Sequence, residues 1–157
     1  MARARSKGLG AIEMLKQDHA KVEKAFKEFE KMDRADAGAC RELVTAVCED
    51  LKVHTILEED LFYPAVREAL EDEDIMNEAA VEHETARMLI EQLENMQDDD
   101  PNYHATFAVL AEYVRHHIRE EEDEMFPAAR KSGLDLDSLA GRMHERRRAL
   151  TGELAHA

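Results

Sequence analysis

The chain has no tryptophan, only two cysteines, three prolines and six glycines among its 157 residues. Five Phe and three Tyr make a thin aromatic set, so strands, which favour aromatic and β-branched residues, are poorly supplied. With so few breakers, helices can run long. Cys40 and Cys48 fall in one predicted helix, whose rise separates them by about 12 Å, beyond the span of a disulfide. Neither belongs to a C-x-x-C pair. These facts exclude a disulfide framework, a thiolate zinc site and an iron–sulfur cluster. Both thiols are expected to be reduced and buried, as in a cytoplasmic protein.

Other absences narrow the function. No apolar run reaches the roughly 18 residues that a membrane-spanning helix needs. The N-terminal MARARSKG is basic but lacks the apolar stretch of a secretion signal. Positive charge is outnumbered, with 21 Lys and Arg against 36 Asp and Glu for a net charge of −15. Nucleic acid and anionic membranes are therefore poor partners, and cations are better ones. There is no glycine-rich phosphate loop, serine nucleophile elbow or dinucleotide fingerprint.

What is present is helical periodicity. Ile12, Leu15, His19, Val22, Phe26 and Phe29 form a seam spaced 3, 4, 3, 4, 3 on a helix over about 9–33. Val44, Val47, Leu51, His54, Glu58 and Leu61 repeat that spacing on a helix over about 38–62, which Pro64 is expected to end or kink. Met76, Ala79, His83, Ala86, Ile90 and Leu93 mark a third helix over about 74–97. Phe107, Leu110, Val114, His117 and Glu121 mark a fourth over about 102–125, ended by Pro127. Leu136, Leu139, Met143 and Leu150 give a shorter last helix near 136–152, with Arg146, Arg147 and Arg148 outside it. Four long helices with short connections predict an all-α, up-down-up-down antiparallel four-helix bundle with a short extra C-terminal helix. Residues 1–8 read as a flexible tail, 9–130 as the bundle, and 131–157 as the C-terminal helix and tail.

The second and fourth helices share a motif. HTILEEDLFYP from His54 to Pro64 aligns without a gap with HIREEEDEMFP from His117 to Pro127, and His, Glu, Glu, Asp and Pro match at equivalent positions. In each copy the His and the Glu four residues on lie one turn apart on the same helix face. His19 and His83 stand 64 residues apart and His54 and His117 stand 63 apart, so a helix pair is used twice. Counting about 1.5 Å of rise per residue from each loop puts all four His in one layer. Buried His and Glu are costly unless paired or coordinated. Imidazole with carboxylate suits iron, and less distinctively manganese, zinc or copper. Four nitrogens and two carboxylates fit two ions better than one. If Glu58 and Glu121 bridge, each octahedral ion keeps about two positions for water, oxide, O₂ or peroxide. By symmetry His19 and His54 would hold one ion and His83 and His117 the other, although mixed pairs meet the same count.

Over about residues 11–127 the chain resembles the hemerythrin-like, HHE cation-binding family of non-haem di-iron four-helix bundles. The resemblance rests on His19, on the H-x-x-x-E of His54 and Glu58, on His83 within Glu82-His83-Glu84, and on the H-x-x-x-E of His117 and Glu121. It implies two irons held by those six residues. Oxygen-carrying hemerythrins have a further His one turn after the third-helix His, where this chain has Arg87. Their fourth-helix carboxylate is an Asp one residue beyond the position of Glu121. The more symmetric set here resembles the bacterial and iron-sensing branches. That implies O₂, peroxide or NO as the small-molecule partner, with either catalase-like peroxide decomposition or iron and oxygen sensing without turnover.

Some residues near the motifs are expected to play lesser parts. Asp50 and Tyr113 each stand one turn before a motif His, as flanking residues or as groups that orient the ring. His116 points about 100° away from His117, and His104, His144 and His156 lie off the layer. The E-x-x-H of Glu153 and His156 is a single copy in the tail, whereas a ferritin-like carboxylate site needs two inside the bundle.

Overall fold

The computed structural model describes residues 9–156, with side chains through Gly152. The expected tail at residues 1–8 and the side chains of Glu153 and His156 lie outside the described residues. Helix α1 spans Ala11–Lys31. Helix α2, Ala37–Leu57, starts at Asp36, whose carboxylate accepts from the Ala39 amide at 3.2 Å. Helix α4, Glu73–Asn95, is capped in the same way by Asp72, which accepts from Ile75 at 3.3 Å. Each carboxylate satisfies an amide that the first helical turn leaves free. Just before Asp72 the chain turns through Glu71 in the left-handed region, at φ 57°.

Pro64 and Pro127 do not end their helices. After α2 the backbone widens into a π turn at Glu58–Phe62 and continues as α3, Tyr63–Leu70. After α5, Tyr103–Glu120, a second π turn at Glu121–Met125 leads into α6, Phe126–Lys131. In both turns the closing bond reaches back five residues, from Tyr63 to the Glu58 carbonyl and from Phe126 to the Glu121 carbonyl. In an α-helix a proline clashes with the carbonyl four residues back and donates nothing to it. The wider turn shifts the hydrogen-bond register immediately before each proline, and the chain passes without breaking. The two expected helix ends are thus π turns inside long helices, each opening at a motif Glu.

After Gly133, at φ 82°, helix α7 covers Leu136–His156. The arrangement is the expected four-helix bundle with an added fifth helix and, among the described residues, no strand. α1 packs on α2 and α4 on α5, while α2 meets α4 and α1 meets α5. α7 lies along α1 and α2. Cys40 and Cys48 are free and buried, and burial pushes the Cys48 thiol up to about 12. No described helix is long and apolar enough to cross a membrane.

Two apolar clusters divide the interior. One gathers Ile12, Leu15, Leu57, Phe62 and Phe126 with Leu139, Met143 and Leu150 of α7. The other gathers Val22, Phe26, Leu51, Ile90, Phe107 and Val114. Each large side chain buried in them contributes about 1.5–3 kcal/mol. Along α1, His19 separates Leu15 of the first cluster from Val22 of the second. His54 separates Leu57 from Leu51 on α2 in the same way. A polar layer therefore crosses the bundle where the two clusters meet.

Candidate metal centre

His19, His54, Glu58, His83, His117 and Glu121 are the buried polar residues of the described chain. α1, α2, α4 and α5 each bring one His to the layer. The two Glu open the two π turns, and both are essentially sealed from solvent at 0% and 1% exposure. The structure brings the six together in two overlapping groups. One contains His19, His54, Glu58 and Glu121 and the other His83, His117, Glu58 and Glu121, with the ligand atoms of each group within 4.8 Å of one another. Both Glu belong to both groups.

Each imidazole is anchored on its outer side by a carboxylate. Nδ1 of His19 meets Glu122 at 2.7 Å, that of His54 meets Asp18 at 2.8 Å, that of His83 meets Glu59 at 2.8 Å, and that of His117 meets Glu82 at 2.6 Å. These bonds obey the internal repeat. The acids just before His19 and His83 serve the motif His of α2 and α5, and the acids just after Glu58 and Glu121 serve His83 and His19. A donor bond at Nδ1 sets the tautomer that leaves Nε2 a lone pair and raises its basicity.

The Nε2 atoms face inward. His83 Nε2 lies 2.9 Å from Glu58 and His117 Nε2 lies 3.2 Å from Glu121. On the other side His19 Nε2 is 3.1 Å from Glu121 and His54 Nε2 is 3.2 Å from Glu58. Those last two contacts are not aligned as hydrogen bonds. Nε2 of His19 and His54, Oε2 of Glu58 and Oε1 of Glu121 are thus buried without a hydrogen-bond partner among the described residues. A single unsatisfied buried polar atom costs about 1–3 kcal/mol. Two imidazole nitrogens and two carboxylate oxygens within 4.8 Å of one another fit a borderline cation, which would displace any proton held on the rings.

The second group contains a residue that the sequence reading missed. The Tyr63 hydroxyl lies 3.2 Å from Glu58 Oε1, 3.2 Å from His83 Nε2 and 3.0 Å from His117 Nε2, and it donates to Glu121 Oε2. Burial, with the charges of Glu121 and Glu58, pushes the phenol well above its usual range. Its counterpart in the repeat is Phe126, which stacks on His19 with centroids 5.9 Å apart. The halves are therefore chemically unequal. The signal was the hydroxyl by which Tyr63 differs from Phe126 in the repeat, but a Tyr beside a supposed helix end reads as packing.

Asp50 and Tyr113 stay out of the centre. Asp50 pairs with Lys21 at 3.2 Å, and Tyr113 is 45% exposed. His116 is also exposed, and it faces Glu82 and Glu120. His104 lies half-buried against Phe29, and His144 is exposed.

Burial opposes charge on His54, but Glu58 and Asp18 outweigh it and hold its pKa up, to about 10. Glu121, Glu58 and Glu82 likewise hold His117 well above its ordinary range against burial. A group whose folded pKa exceeds its unfolded value adds stability that is whole below the unfolded value and disappears as pH rises through the folded one. The metal-free chain should therefore melt at a lower temperature at pH 10 than at pH 6.5. Calorimetry of the metal-free protein and of His54→Gln checks this, with a shallower pH slope expected in the variant.

Comparisons with known proteins bear on the same residues. The family model of the hemerythrin HHE cation-binding domain matches residues 10–129. A DNA nickase from Nostoc sp. is 28% identical over 120 residues, covering 76% of this chain and 33% of that protein. The chain thus spans about a third of that relative's length. A crystal structure of a hemerythrin HHE cation-binding domain-containing protein from Mycobacterium kansasii superposes with a TM-score of 0.80. That match covers 95% of this chain and 91% of the other at 22% identity, so the likeness is one of fold.

Proposed function

Because the chain belongs to the hemerythrin HHE cation-binding family, we propose that its polar layer holds two non-haem iron ions and that O₂, peroxide or NO reacts there. His19 and His54 would hold one ion and His83 and His117 the other, with Glu58 and Glu121 shared between them. The observation that carries this reading is the set of four buried, partnerless donor atoms on His19, His54, Glu58 and Glu121. Iron in such a site supplies redox chemistry toward small oxidants, and manganese or zinc would fit the same donors with less or no redox reach.

The protein's own part is to prepare the donors and exclude water. Asp18, Glu59, Glu82 and Glu122 hold the four rings so that Nε2 faces inward. The apolar clusters on either side lower the polarity around the layer, which strengthens the charge interactions within it. Tyr63 presents a phenol oxygen to the His83 and His117 side only, so that side gains one more oxygen donor once the phenol gives up its proton. The reaction class is uptake or decomposition of a small oxidant, and catalase-like turnover of peroxide falls within it. Nicking of DNA, named for the Nostoc relative, has no support in a chain with a net charge of −15. The free, buried thiols suit a cytoplasmic protein.

Metal quantification with aerobic and anaerobic optical spectra tests the proposal, and two irons per chain with oxygen-dependent visible absorption are expected. Glu58→Ala or Glu121→Ala should lose both ions, and loss of one with the other intact would reject the shared-carboxylate arrangement. Tyr63→Phe should retain two irons but lose phenolate-to-iron(III) absorption. An unchanged ferric spectrum would remove Tyr63 from the ion's surroundings.

A second reading, an iron or oxygen sensor without turnover, is favoured by one observation. Arg147 of α7 donates to Asp18, whose carboxylate also holds His54 Nδ1. That chain of contacts ties the last helix to one side of the centre, so a change at His54 would loosen α7. Truncation at Gly133 discriminates the two. The sensor reading expects metal-dependent protection of α7 from proteolysis in the full chain. The reactive-centre reading expects peroxide turnover to survive the truncation.

A further inference from the structure

Above the four imidazoles, on the side away from the carboxylates, lies a cavity of about 210 Å³. His19, His54, His83 and His117 form its floor, and neither Glu58, Glu121 nor Tyr63 lines it. Val22, Leu51, Ala86, Ile90, Val114 and Ile118 give it mostly apolar walls, with Thr55, Glu82 and Tyr113 among them. Both nitrogens of every floor imidazole are directed elsewhere, Nδ1 to an outer acid and Nε2 to the inner ones. The rings therefore meet the cavity with carbon.

Size and charge together select an occupant. O₂ and peroxide have two heavy atoms each and would rattle in this volume. An apolar cavity of about 150 Å³ is already enough to stay dry and admit benzene or xenon. The rim does carry cations, each paired with an acid, and only Nε of Arg147 is left without a hydrogen-bond partner among the described residues. Lys21 is paired with Asp50, Lys52 with Glu94, Arg87 with Glu59, and Arg147 with Asp18. An anionic head group would compete with the acids of these pairs, and a cationic ligand would find the rim acids already engaged. A neutral molecule pays neither penalty.

We propose that this cavity binds a small neutral apolar molecule, about the size of a monocyclic aromatic ring, resting against the four imidazoles. It is a ligand site separate from the inner donors. The proposal rests on the iron reading only for what the bound molecule sits beside, since the cavity walls alone account for the binding. The same walls would place an apolar molecule next to any oxidant held at the centre.

The probes are benzene, p-xylene and xenon, with calorimetry and ligand-observed NMR on both metal-free and iron-loaded full-length protein. Saturable binding of one benzene per chain is expected. Ala86→Leu puts three more carbons into the cavity from α4 without replacing a donor residue. It should weaken benzene by at least about tenfold while iron content stays unchanged. Should that variant fold poorly, Ile90→Ala enlarges the same wall and should tighten p-xylene relative to the parent chain. Absence of benzene binding in both metal states overturns the proposal. So does xenon uptake without benzene, which would make the space a gas pocket, or benzene binding that neither substitution alters. Benzene bound by a chain that takes up no iron would uphold the cavity and defeat the iron reading instead.

Discussion

Six polar side chains buried in one layer are the constraint to which the rest of this protein answers. Left alone they would weaken the bundle, because each buried donor or acceptor without a partner forfeits its hydration. The outer halves of the four imidazoles are satisfied from within the chain by Asp18, Glu59, Glu82 and Glu122. The inner halves are satisfied on one side by Tyr63 and left partnerless on the other. The fold thus spends its own hydrogen bonds on orientation and leaves donor strength pointing inward, as a cation-binding domain requires.

The π turns belong to the same constraint. Glu58 and Glu121 sit at the first residue of each turn, where an α-helix gives way to a wider coil. The change of register carries the helix past Pro64 and Pro127, and it rotates Tyr63 and Phe126 toward the layer rather than away from it. A repeat that looked like a metal motif followed by a stop is one continuous device. It supplies a buried carboxylate, widens the helix, and places an aromatic beneath the layer. Because one copy ends in Tyr and the other in Phe, a nearly symmetric scaffold produces two unequal halves.

Helix α7 is the other departure from symmetry. Its Leu139, Met143 and Leu150 complete the apolar cluster on the carboxylate side. Its Arg147 takes up the outward charge of Asp18 on the His19 and His54 half. On the opposite half, Arg87 of α4 performs the corresponding task for Glu59. A cation thus pairs with one outer acid on each side of the layer.

Periodicity alone determined the helical class, the bundle, and the joint placement of His19, His54, His83, His117, Glu58 and Glu121, since a seam of period near 3.5 allows those residues only one face. The tertiary structure decided the rest. A helix pattern reports which face a residue occupies but not which neighbour it reaches across the bundle. For that reason the bonds from Asp18, Glu59, Glu82 and Glu122 to the four imidazoles were not legible in the sequence. Proline reads as a stop because local sterics disfavour continuation, and only packing on both sides could hold the helix together through a π turn. The phenol of Tyr63 and the apolar cavity are products of four helices meeting, and no single stretch of chain contains either.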